Sequence, residues 1–439
     1  MKVAFYTLGC KVNQYETKLM EEEFLNNSYE IVDFKEKSDI YVINSCSVTN
    51  LSTRKSRQAI AKARKINSEA VIVLVGCYVE ELSFTSSTFK LYDLALGNED
   101  KKEIIRYINE FLSSKKISNT NNKDSNIIVK EDIGKVRRYV QSKKITKMDN
   151  IRQAIKIQDG CNYFCSYCII PYTRGRSRSR SLEEILNEVN QLVNSGVKEV
   201  VLVGIEIASY GTDFKDKLNL IDVIEAIEKI DGIERIRLGS IEPRWMTDDI
   251  ISKLKNITKL CHHFHLSIQS LNNNILKAMN RRYNKEFILD VISKLKSTFI
   301  DVAITTDIIV GFINETDEEF LETYNISKLI GFSHMHVFKF SKREHTKAYS
   351  LSNNVTGDVS NMRSEKLISL SNEMTNNYLD SMIGKKYEVL IEECKDGFCY
   401  GYTKNYVKVK VKGDNKLWGK IVEVEFLEIE RDLIIANLI

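Results

Sequence analysis

The stretch that decides the fold is Gly160–Cys168, which reads GCNYFCSYC. Its cysteines, Cys161, Cys165 and Cys168, have the spacing C-x3-C-x2-C, and three thiols this close together in sequence are candidate ligands of one metal centre. The pattern therefore predicts a loop that turns three thiolates toward one metal. Structural zinc usually takes four protein ligands, whereas three thiolates leave one iron of a 4Fe–4S cluster open to a substrate. The cluster is the favoured interpretation, and a zinc knuckle or three unligated thiols are the alternatives.

Composition limits the class of protein. The chain has 439 residues, 43% of them hydrophobic, and a formal net charge of +4. This length predicts about two to four domains with a sizeable core. Nine cysteines without a secretory signal argue against a disulfide framework and for a reducing compartment. Because no apolar run reaches about 18 residues, we expect a cytoplasmic protein that is not bound to a membrane.

The N-terminal third alternates strand and helix patterns, which predicts a parallel α/β sheet. Three of its strand patterns are each followed closely by a cysteine: Val3–Leu8 by Cys10, Ile40–Asn44 by Cys46, and Val71–Val75 by Cys77. Because the carboxyl ends of parallel strands meet at one edge of a sheet, we expect these thiols to converge on a second cluster. The alternative is three small buried core residues.

A polar segment follows, and it separates this region from the centre of the chain. Residues 113–150 are predicted to be a linker and a basic connector, with the cations Arg137, Arg138, Lys143, Lys144 and Lys147.

The central part, residues 151–380, contains six strand patterns with helical patterns between them, which predicts a partial (β/α)6 barrel. Such barrels place active sites at the carboxyl ends of their strands, and the cysteine loop follows the first strand. We predict that polar residues near the strand ends bind a cofactor; these are Tyr167, Glu206, Glu242, Ser267, Gln269 and Asp307. The histidines of this region, His265 and His336 among them, are expected to be core or wall residues.

An arginine-rich segment follows the cysteine loop directly. It reads RGRSRSR at positions 174–180, and no acidic residue follows before Glu183. Arginine binds phosphate with a planar, bidentate fork. We therefore predict an RNA-facing segment made of Arg174, Arg176, Arg178 and Arg180, and the alternative is a salt-bridged structural turn.

The C-terminal part, residues 381–439, has short alternating strand patterns separated by glycine turns, which predicts a small all-β barrel of the oligonucleotide-binding type. One of its strands carries Lys408, Lys410 and Lys412, with Tyr402, Tyr406 and Trp418 nearby. Cations beside stacking aromatic surfaces are typical of RNA binding, so these lysines are predicted RNA contacts.

With these motifs in place, the whole chain resembles the radical S-adenosylmethionine methylthiotransferases. The resemblance rests on TLGCKVNQYE at 7–16, NSCSVT at 44–49, GCY at 76–78, CNYFCSYCIIPYTRGRSRSR at 161–180, HFHLSIQS at 263–270, MNRRY at 279–283 and TDIIVGF at 306–312. The opening TLGCKVNQYE is similar to the bacterial subgroup that modifies threonylcarbamoyladenosine beside the anticodon of tRNA.

The resemblance implies an N-terminal methylthiotransferase domain (1–112), the linker, a radical S-adenosylmethionine barrel (151–380) and a C-terminal TRAM domain (381–439). It also implies two 4Fe–4S clusters. The one on Cys161, Cys165 and Cys168 would cleave S-adenosylmethionine reductively, and an auxiliary cluster on Cys10, Cys46 and Cys77 would carry the sulfur to be transferred. The implied reaction replaces the C2 hydrogen of the modified adenine by a methylthio group. Expected partners are tRNA and an electron donor such as flavodoxin or ferredoxin, and the expected state is a monomer.

Two other functions stay open at this point. The same chemistry could act on isopentenyladenosine in tRNA or on a ribosomal protein. A non-catalytic, zinc-containing RNA-binding protein is the alternative of a different class.

Overall fold

The computed structural model describes residues 1–82, 91–117, 126–140 and 150–439. The predicted cations Lys143, Lys144 and Lys147 lie outside these residues. The chain forms two compact units: the first contains the described residues up to 140 together with 158–180 and 341–350, and the second contains 150–157, 181–340 and 351–439. The first unit thus includes the cysteine loop that the sequence analysis assigned to the barrel.

The strands, in chain order, are β1 (Lys2–Thr7), β2 (Glu30–Val32), β3 (Ile40–Ser45), β4 (Val71–Gly76), β5 (Leu94–Leu96), β6 (Ile127–Val129), β7 (Arg152–Lys156), β8 (Gln158–Asp159), β9 (Arg178–Ser179), β10 (Glu199–Val203), β11 (Arg235–Leu238), β12 (Ser240–Ile241), β13 (His263–Gln269), β14 (Ala303–Val310), β15 (His334–Lys339), β16 (Lys386–Lys395), β17 (Phe398–Thr403), β18 (Lys408–Lys412), β19 (Ile421–Glu430) and β20 (Leu433–Leu438). The helices are α1 (Lys11–Asn26), α2 (Asn50–Ile66), α3 (Cys77–Leu82), α4 (Ile104–Ile117), α5 (Ile170–Thr173), α6 (Leu182–Asn194), α7 (Leu220–Glu228), α8 (Asp248–Lys255), α9 (Asn273–Ala278), α10 (Lys285–Thr298), α11 (Asp317–Ile330) and α12 (Gly357–Asp380).

The first unit is built on a six-stranded parallel sheet in the order β2-β1-β3-β4-β5-β6. All residues of β3 and β4 are buried, because helices cover both faces of the sheet. On one face, Ala59 and Ile60 of α2 pack with Tyr41. On the other face, side chains of α1 and α4, among them Phe24 and Ile108, complete the core. This arrangement confirms the predicted parallel α/β fold and also adds β6, which falls inside the predicted linker.

A distant segment also belongs to this unit. Arg343, which is 3% exposed, donates from Nη2 to both carboxylate oxygens of Glu81, each at 2.7 Å. Its Nη1 donates to Asn50 Oδ1 at 2.5 Å. Residues 341–350 are therefore fastened to the first residue of α2 and to the last turn of α3.

The second unit contains two parallel sheets, β11-β10-β7 and β12-β13-β14-β15. Only Gly239 separates β11 from β12, so one stretch of chain takes part in both sheets. The surrounding helices fill a single hydrophobic core with residues such as Ile224, Leu266 and Val291. Six parallel β/α units confirm the predicted partial barrel.

The C-terminal segment forms a closed barrel in the order β16-β17-β18-β20-β19, as predicted. Arg235 of β11 is buried and donates to the carbonyl oxygens of Tyr402 at 2.6 Å and Glu388 at 3.0 Å, which holds the barrel against the parallel strands. Cys394 and Cys399, which are paired across β16 and β17, form a disulfide that the sequence analysis did not foresee. None of the helices in the described residues combines the length and apolar character needed to span a lipid bilayer.

Candidate metal centres

The structure brings Cys10, Cys46 and Cys77 to one edge of the first unit. They follow β1, β3 and β4, which are neighbours in the sheet. Asn13 ties two of the three turns together, because its Nδ2 donates to the carbonyl oxygens of Leu8 at 2.7 Å and Ser45 at 3.0 Å.

Glycine makes the close approach of these turns possible. Gly9 has φ +99°, and a Cβ on it would lie 2.8 Å from Cys46 Cβ and 3.0 Å from Cys46 Sγ. A larger residue at this position would push Cys46 away from its place, so the turn is shaped around the cysteine.

The electrostatics of this triad fit ligand thiolates. Burial is the largest cause that raises the pKa of Cys46 to about 11, and the neighbouring sulfurs of Cys77 and Cys10 contribute to the same shift. Metal ligation requires thiolates, and a bound cation stabilises several thiolates held close together. Cys77 Sγ also accepts from Arg174 Nε at 3.3 Å and Asn98 Nδ2 at 3.8 Å. Donors to a ligand sulfur are what a metal–thiolate centre uses as its supporting shell.

The loop of Cys161, Cys165 and Cys168 lies between β8 and α5 in the same unit. Backbone hydrogen bonds fix its two ends: Cys161 N donates to Gly175 O and Cys168 N to Cys165 O, each at 3.0 Å. Phe164 has φ +48°, and all three cysteines are partly exposed. A fixed loop with partly open thiols can hold a metal centre that a substrate reaches.

Aromatic side chains cover part of this loop. Phe164 meets Tyr172 edge to face at 5.7 Å between ring centroids, and the Arg176 guanidinium lies 4.5 Å from the centre of the Phe164 ring. Tyr167, a predicted cofactor contact, is partly exposed within the loop.

The arginine-rich segment differs from the prediction. Arg174, Arg178 and Arg180 are 0–1% exposed, so in this structure they cannot present a face to RNA, and that prediction is wrong for them. The acidic partners come from distant positions: Arg174 pairs with Glu16, and Arg178 pairs with Glu99. Asp159 lies 3.4 Å from Arg174 and 3.7 Å from Arg178. The segment is mainly a salt-bridged turn, and Arg176 alone of the four is exposed.

The predicted cofactor contacts of the second unit lie in the carboxyl-terminal halves of its strands or just after them. Ser267 and Gln269 alternate with buried residues along β13, and Asp307 has a similar place on β14. Gln269 has φ +73°, and the register between β13 and β14 shifts between Leu266 and Gln269. Bulges of this kind re-aim side chains and are frequent next to active sites.

Glu206 follows β10 and is buried. Burial is the largest cause that raises its pKa to about 8, and the nearby carboxylate of Glu242 adds to the shift. The raised pKa favours the protonated side chain, which can donate a hydrogen bond to an anionic group.

The sequence analysis missed a polar cluster here. His265, Asp307 and His336 each offer one ligand atom, and these atoms lie within 4.8 Å of one another. His265 Nε2 is 3.2 Å from Asp307 Oδ2, and His265 Nδ1 is 2.9 Å from Thr305 Oγ1. The sequence does contain a signal for this cluster, because His265, Asp307 and His336 belong to three strand patterns that become neighbours in the parallel sheet. The set could hold a cation or the polar parts of a cofactor.

The predicted lysines of β18 lie on the outer face of the C-terminal barrel, since Val409 and Val411 between them are buried. Opposite them on β17 are aromatic residues: the register pairs Tyr400 with Lys410 and Phe398 with Lys412. Lys410 Nζ lies 4.7 Å from the centre of the Phe398 ring and 3.0 Å from Glu430 Oε2.

Comparisons with known proteins agree with this architecture. Family profiles match at residues 155–326 (radical SAM superfamily), 2–97 (uncharacterized protein family UPF0004) and 380–433 (TRAM domain). A solved structure of the radical S-adenosylmethionine methyltransferase TsrM from Kitasatospora setae, with cobalamin and a 4Fe–4S cluster bound, matches with a TM-score of 0.57 at 12% identity, over 79% of this chain and 77% of that one. That likeness concerns the fold alone. Together with the cysteine pattern, the family profiles define a radical S-adenosylmethionine enzyme, which works with an iron–sulfur cluster and S-adenosylmethionine.

Curated relatives narrow the class. The threonylcarbamoyladenosine tRNA methylthiotransferase MtaB of Bacillus subtilis is 40% identical over 97% of this chain and 94% of its own length. MtaB of Aquifex aeolicus is 36% identical over 97% of this chain and all (100%) of its own. The tRNA-2-methylthio-N(6)-dimethylallyladenosine synthase of Clostridium perfringens is 30% identical over 99% and 96% of the two chains. The chain therefore belongs to the radical S-adenosylmethionine tRNA methylthiotransferase family.

Proposed function

We propose that this enzyme replaces the C2 hydrogen of N6-threonylcarbamoyladenosine, next to the anticodon of tRNA, by a methylthio group. The observation that carries the proposal is the presence of two separate cysteine triads in one compact unit. The choice of nucleoside rests on relatives, because those named for threonylcarbamoyladenosine are 40% and 36% identical, against 30% for the one named for dimethylallyladenosine.

Two 4Fe–4S clusters are part of the proposal, one held by Cys161, Cys165 and Cys168 and one by Cys10, Cys46 and Cys77. When bound, the first would supply the electron that cleaves S-adenosylmethionine and the second would be the place of attachment for the transferred sulfur. The reaction needs such chemistry because the C2–H bond of adenine is inert toward acids and bases. The protein itself contributes fixed thiol positions, donors to Cys77, and the aromatic cover of Phe164 and Tyr172.

S-adenosylmethionine offers an amino group, a carboxylate and ribose hydroxyls, and we propose that the polar groups at the strand ends bind them. Glu206 in its protonated form can donate to an anionic oxygen. Asp307, beside His265, can accept from a hydroxyl or an ammonium group. Tyr167, Ser267 and Gln269 complete the proposed set.

RNA binding is assigned to the outer face of the C-terminal barrel, where Lys408 and Lys412 lie beside the aromatic residues of β17. Such a face combines attraction for phosphates with surfaces on which bases stack. Arg176, exposed beside the cysteine loop, is the remaining candidate of its segment. The four-part domain division, a cytoplasmic location, a flavodoxin or ferredoxin as electron donor, and a monomeric state belong to the same proposal.

The decisive experiment is nucleoside mass spectrometry of tRNA from cells with and without the gene. Loss of 2-methylthio-threonylcarbamoyladenosine with accumulation of its precursor, restored by the wild-type gene but not by Cys165→Ala, would support the proposal. If the dimethylallyl nucleoside changes instead, the substrate assignment is wrong. If the tRNA nucleosides do not change and no second methylthiotransferase is encoded, the proposed tRNA reaction is overturned and a protein substrate takes its place.

A further inference from the structure

Arg174 is placed to act on the auxiliary triad. It is 0% exposed, and its Nε donates to Cys77 Sγ at 3.3 Å. Its Nη2 donates to Asn13 Oδ1 at 2.5 Å and Glu16 Oε2 at 3.0 Å, and its Nη1 donates to Glu16 Oε1 at 2.6 Å. Because each guanidinium nitrogen donates to an acceptor, the group is held in one orientation, in which Nε points toward the Cys77 sulfur.

The groups around Arg174 form a buried network. Lys101 Nζ donates to Glu16 Oε2 at 2.6 Å and to Asn98 Oδ1 at 2.8 Å. Asn98 Nδ2 in turn is 3.8 Å from Cys77 Sγ and 2.7 Å from the carbonyl oxygen of Thr173. Cys77 thus faces two donors that are themselves positioned by hydrogen bonds.

The cations and carboxylates of this network share partners rather than forming separate pairs. Lys101 and Arg174 share Glu16, Arg178 lies at Glu99, and both arginines lie near Asp159. A thiolate at Cys77 would be one further negative charge, and Arg174 is the cation in hydrogen-bond contact with it. In a dry site, that contact is worth more than in water.

We propose that Arg174 is a positioning residue that sets the reduction potential of the auxiliary cluster through its hydrogen bond to Cys77. The inference rests on the proposed function, because it requires a cluster on Cys10, Cys46 and Cys77. Hydrogen bonds to ligand sulfurs and nearby positive charge stabilise the reduced, more negative state of an iron–sulfur cluster and so raise its potential.

The position of Arg174 in the chain gives this role a second consequence. Arg174 N donates to Ile170 O at 2.7 Å, and the next residue, Gly175, accepts from Cys161 N at 3.0 Å. The residue that contacts Cys77 therefore belongs to the turn that closes the loop of the other triad. A shift of that loop moves the donor on Cys77.

The test uses the full chain with Cys161, Cys165 and Cys168 replaced by alanine, reconstituted anaerobically with iron and sulfide, so that one cluster site remains. Iron per chain is measured first, and the midpoint potential is then found by redox titration followed by electron paramagnetic resonance. We expect Arg174→Gln to shift the potential to more negative values. At the parent's midpoint the reduced-to-oxidised ratio should fall tenfold or more, which for one electron corresponds to about 59 mV. Arg174→Lys keeps the charge without the planar fork, and it should shift the potential less but in the same direction.

Arg178→Gln is the matched control. Arg178 is equally buried in the same segment, but its contacts are with Glu99, Asp159 and the carbonyl oxygens of Arg174 and Arg176. It should shift the potential much less than Arg174→Gln does, because the hydrogen bonds of Arg178 go to Glu99 and to backbone carbonyl oxygens. An unchanged potential in Arg174→Gln, or an equal shift in both glutamine variants, would overturn the inference.

Iron content separates the other outcomes. If the triple-alanine parent holds no iron, the auxiliary cluster itself fails and the proposed function fails with it. If only Arg174→Gln cannot retain iron, Arg174→Lys decides: a more negative potential supports the inference, and an unchanged potential contradicts it.

Discussion

Arg237 donates to Glu199 from Nε at 2.6 Å, and neither side chain is more than 1% exposed. Burial alone would raise the pKa of Glu199, but the charge and hydrogen bond of Arg237 outweigh it and lower that pKa. The same guanidinium donates to the carbonyl oxygens of Lys404 at 3.1 Å and Thr403 at 3.2 Å. One ion pair therefore joins two parallel strands and also fixes the C-terminal barrel.

Arg237→Met should destabilise the second unit by about 3–5 kcal/mol, because Glu199 would keep a buried charge without its partner. The measurement is the free energy of urea unfolding. Lys198→Met is the control: Lys198 and Glu234 are 3.7 Å apart with side chains 36% and 47% exposed, and such pairs contribute about 1 kcal/mol or less. Equal losses in the two variants would show that the buried pair has no special role.

Replacing a cysteine should have a different effect on the reaction in each of the two triads. Cys165→Ala should abolish the formation of 5′-deoxyadenosine from S-adenosylmethionine. Cys46→Ala should leave that cleavage but lose the methylthiolated nucleoside, because its thiol belongs to the other triad. Both products can be measured by mass spectrometry in one reduced reaction mixture. Methylthiolated product from Cys46→Ala would remove the auxiliary triad from the mechanism.

Gly9→Ala should displace Cys46, because the new Cβ would lie 2.8 Å from Cys46 Cβ. We expect loss of about half of the iron per chain, the share of one of two 4Fe–4S clusters. Gly196→Ala is a matched control, since Gly196 also has a positive φ, +93°, but has nothing within 4 Å of such a Cβ. It carries the backbone strain without the clash, so its iron content should stay at the wild-type level.

The raised pKa of Glu206 predicts a pH dependence. Burial, followed by the charge of Glu242, raises it from 4.5 to about 8. A carboxyl group that holds its proton more tightly when folded makes the folded state lose stability as the pH rises through this window, by about 1.4 kcal/mol per pH unit. Glu206→Gln should lack this decline, whereas the exposed Glu365→Gln of α12 should follow the wild type. Urea unfolding between about pH 5 and pH 8 tests this, and parallel curves for Glu206→Gln and wild type would contradict it.

Lys408 and Lys412 should each contribute one phosphate contact. Lys408→Ala and Lys412→Ala should weaken binding of an anticodon stem-loop and reduce the slope of log K against log salt by about 1 each. Lys410→Ala should have a smaller effect, because Lys410 already pairs with Glu430 at 3.0 Å. Lys366→Ala, an exposed lysine of α12, should bind like wild type. Identical behaviour of all four variants would place the RNA elsewhere.

Features that depend on the local sequence pattern, such as the strands, the helices and the residues that follow them, are predicted well from the sequence. The convergence of Cys10, Cys46 and Cys77 follows from strand and helix periodicity together with the rule that parallel strands end at one edge. Prediction from sequence fails where two interacting side chains are far apart in the chain, as in the arginine-rich segment. Glu16 is 158 residues from Arg174 and Glu99 is 79 residues from Arg178, so a search for nearby carboxylates could not find them.

The contact between Arg343 and Glu81 has a consequence for how the enzyme is made. At about 5–20 residues per second on the ribosome, the 262 residues that separate them take roughly 13–52 s to synthesise. Until then the nascent N-terminal unit lacks its last segment, and Glu81 lacks its hydrogen bonds with Arg343. We therefore expect this unit to reach its final structure after translation rather than during it. Its cysteines would then remain free thiols, accessible for iron–sulfur cluster assembly, until residues 341–350 have been added.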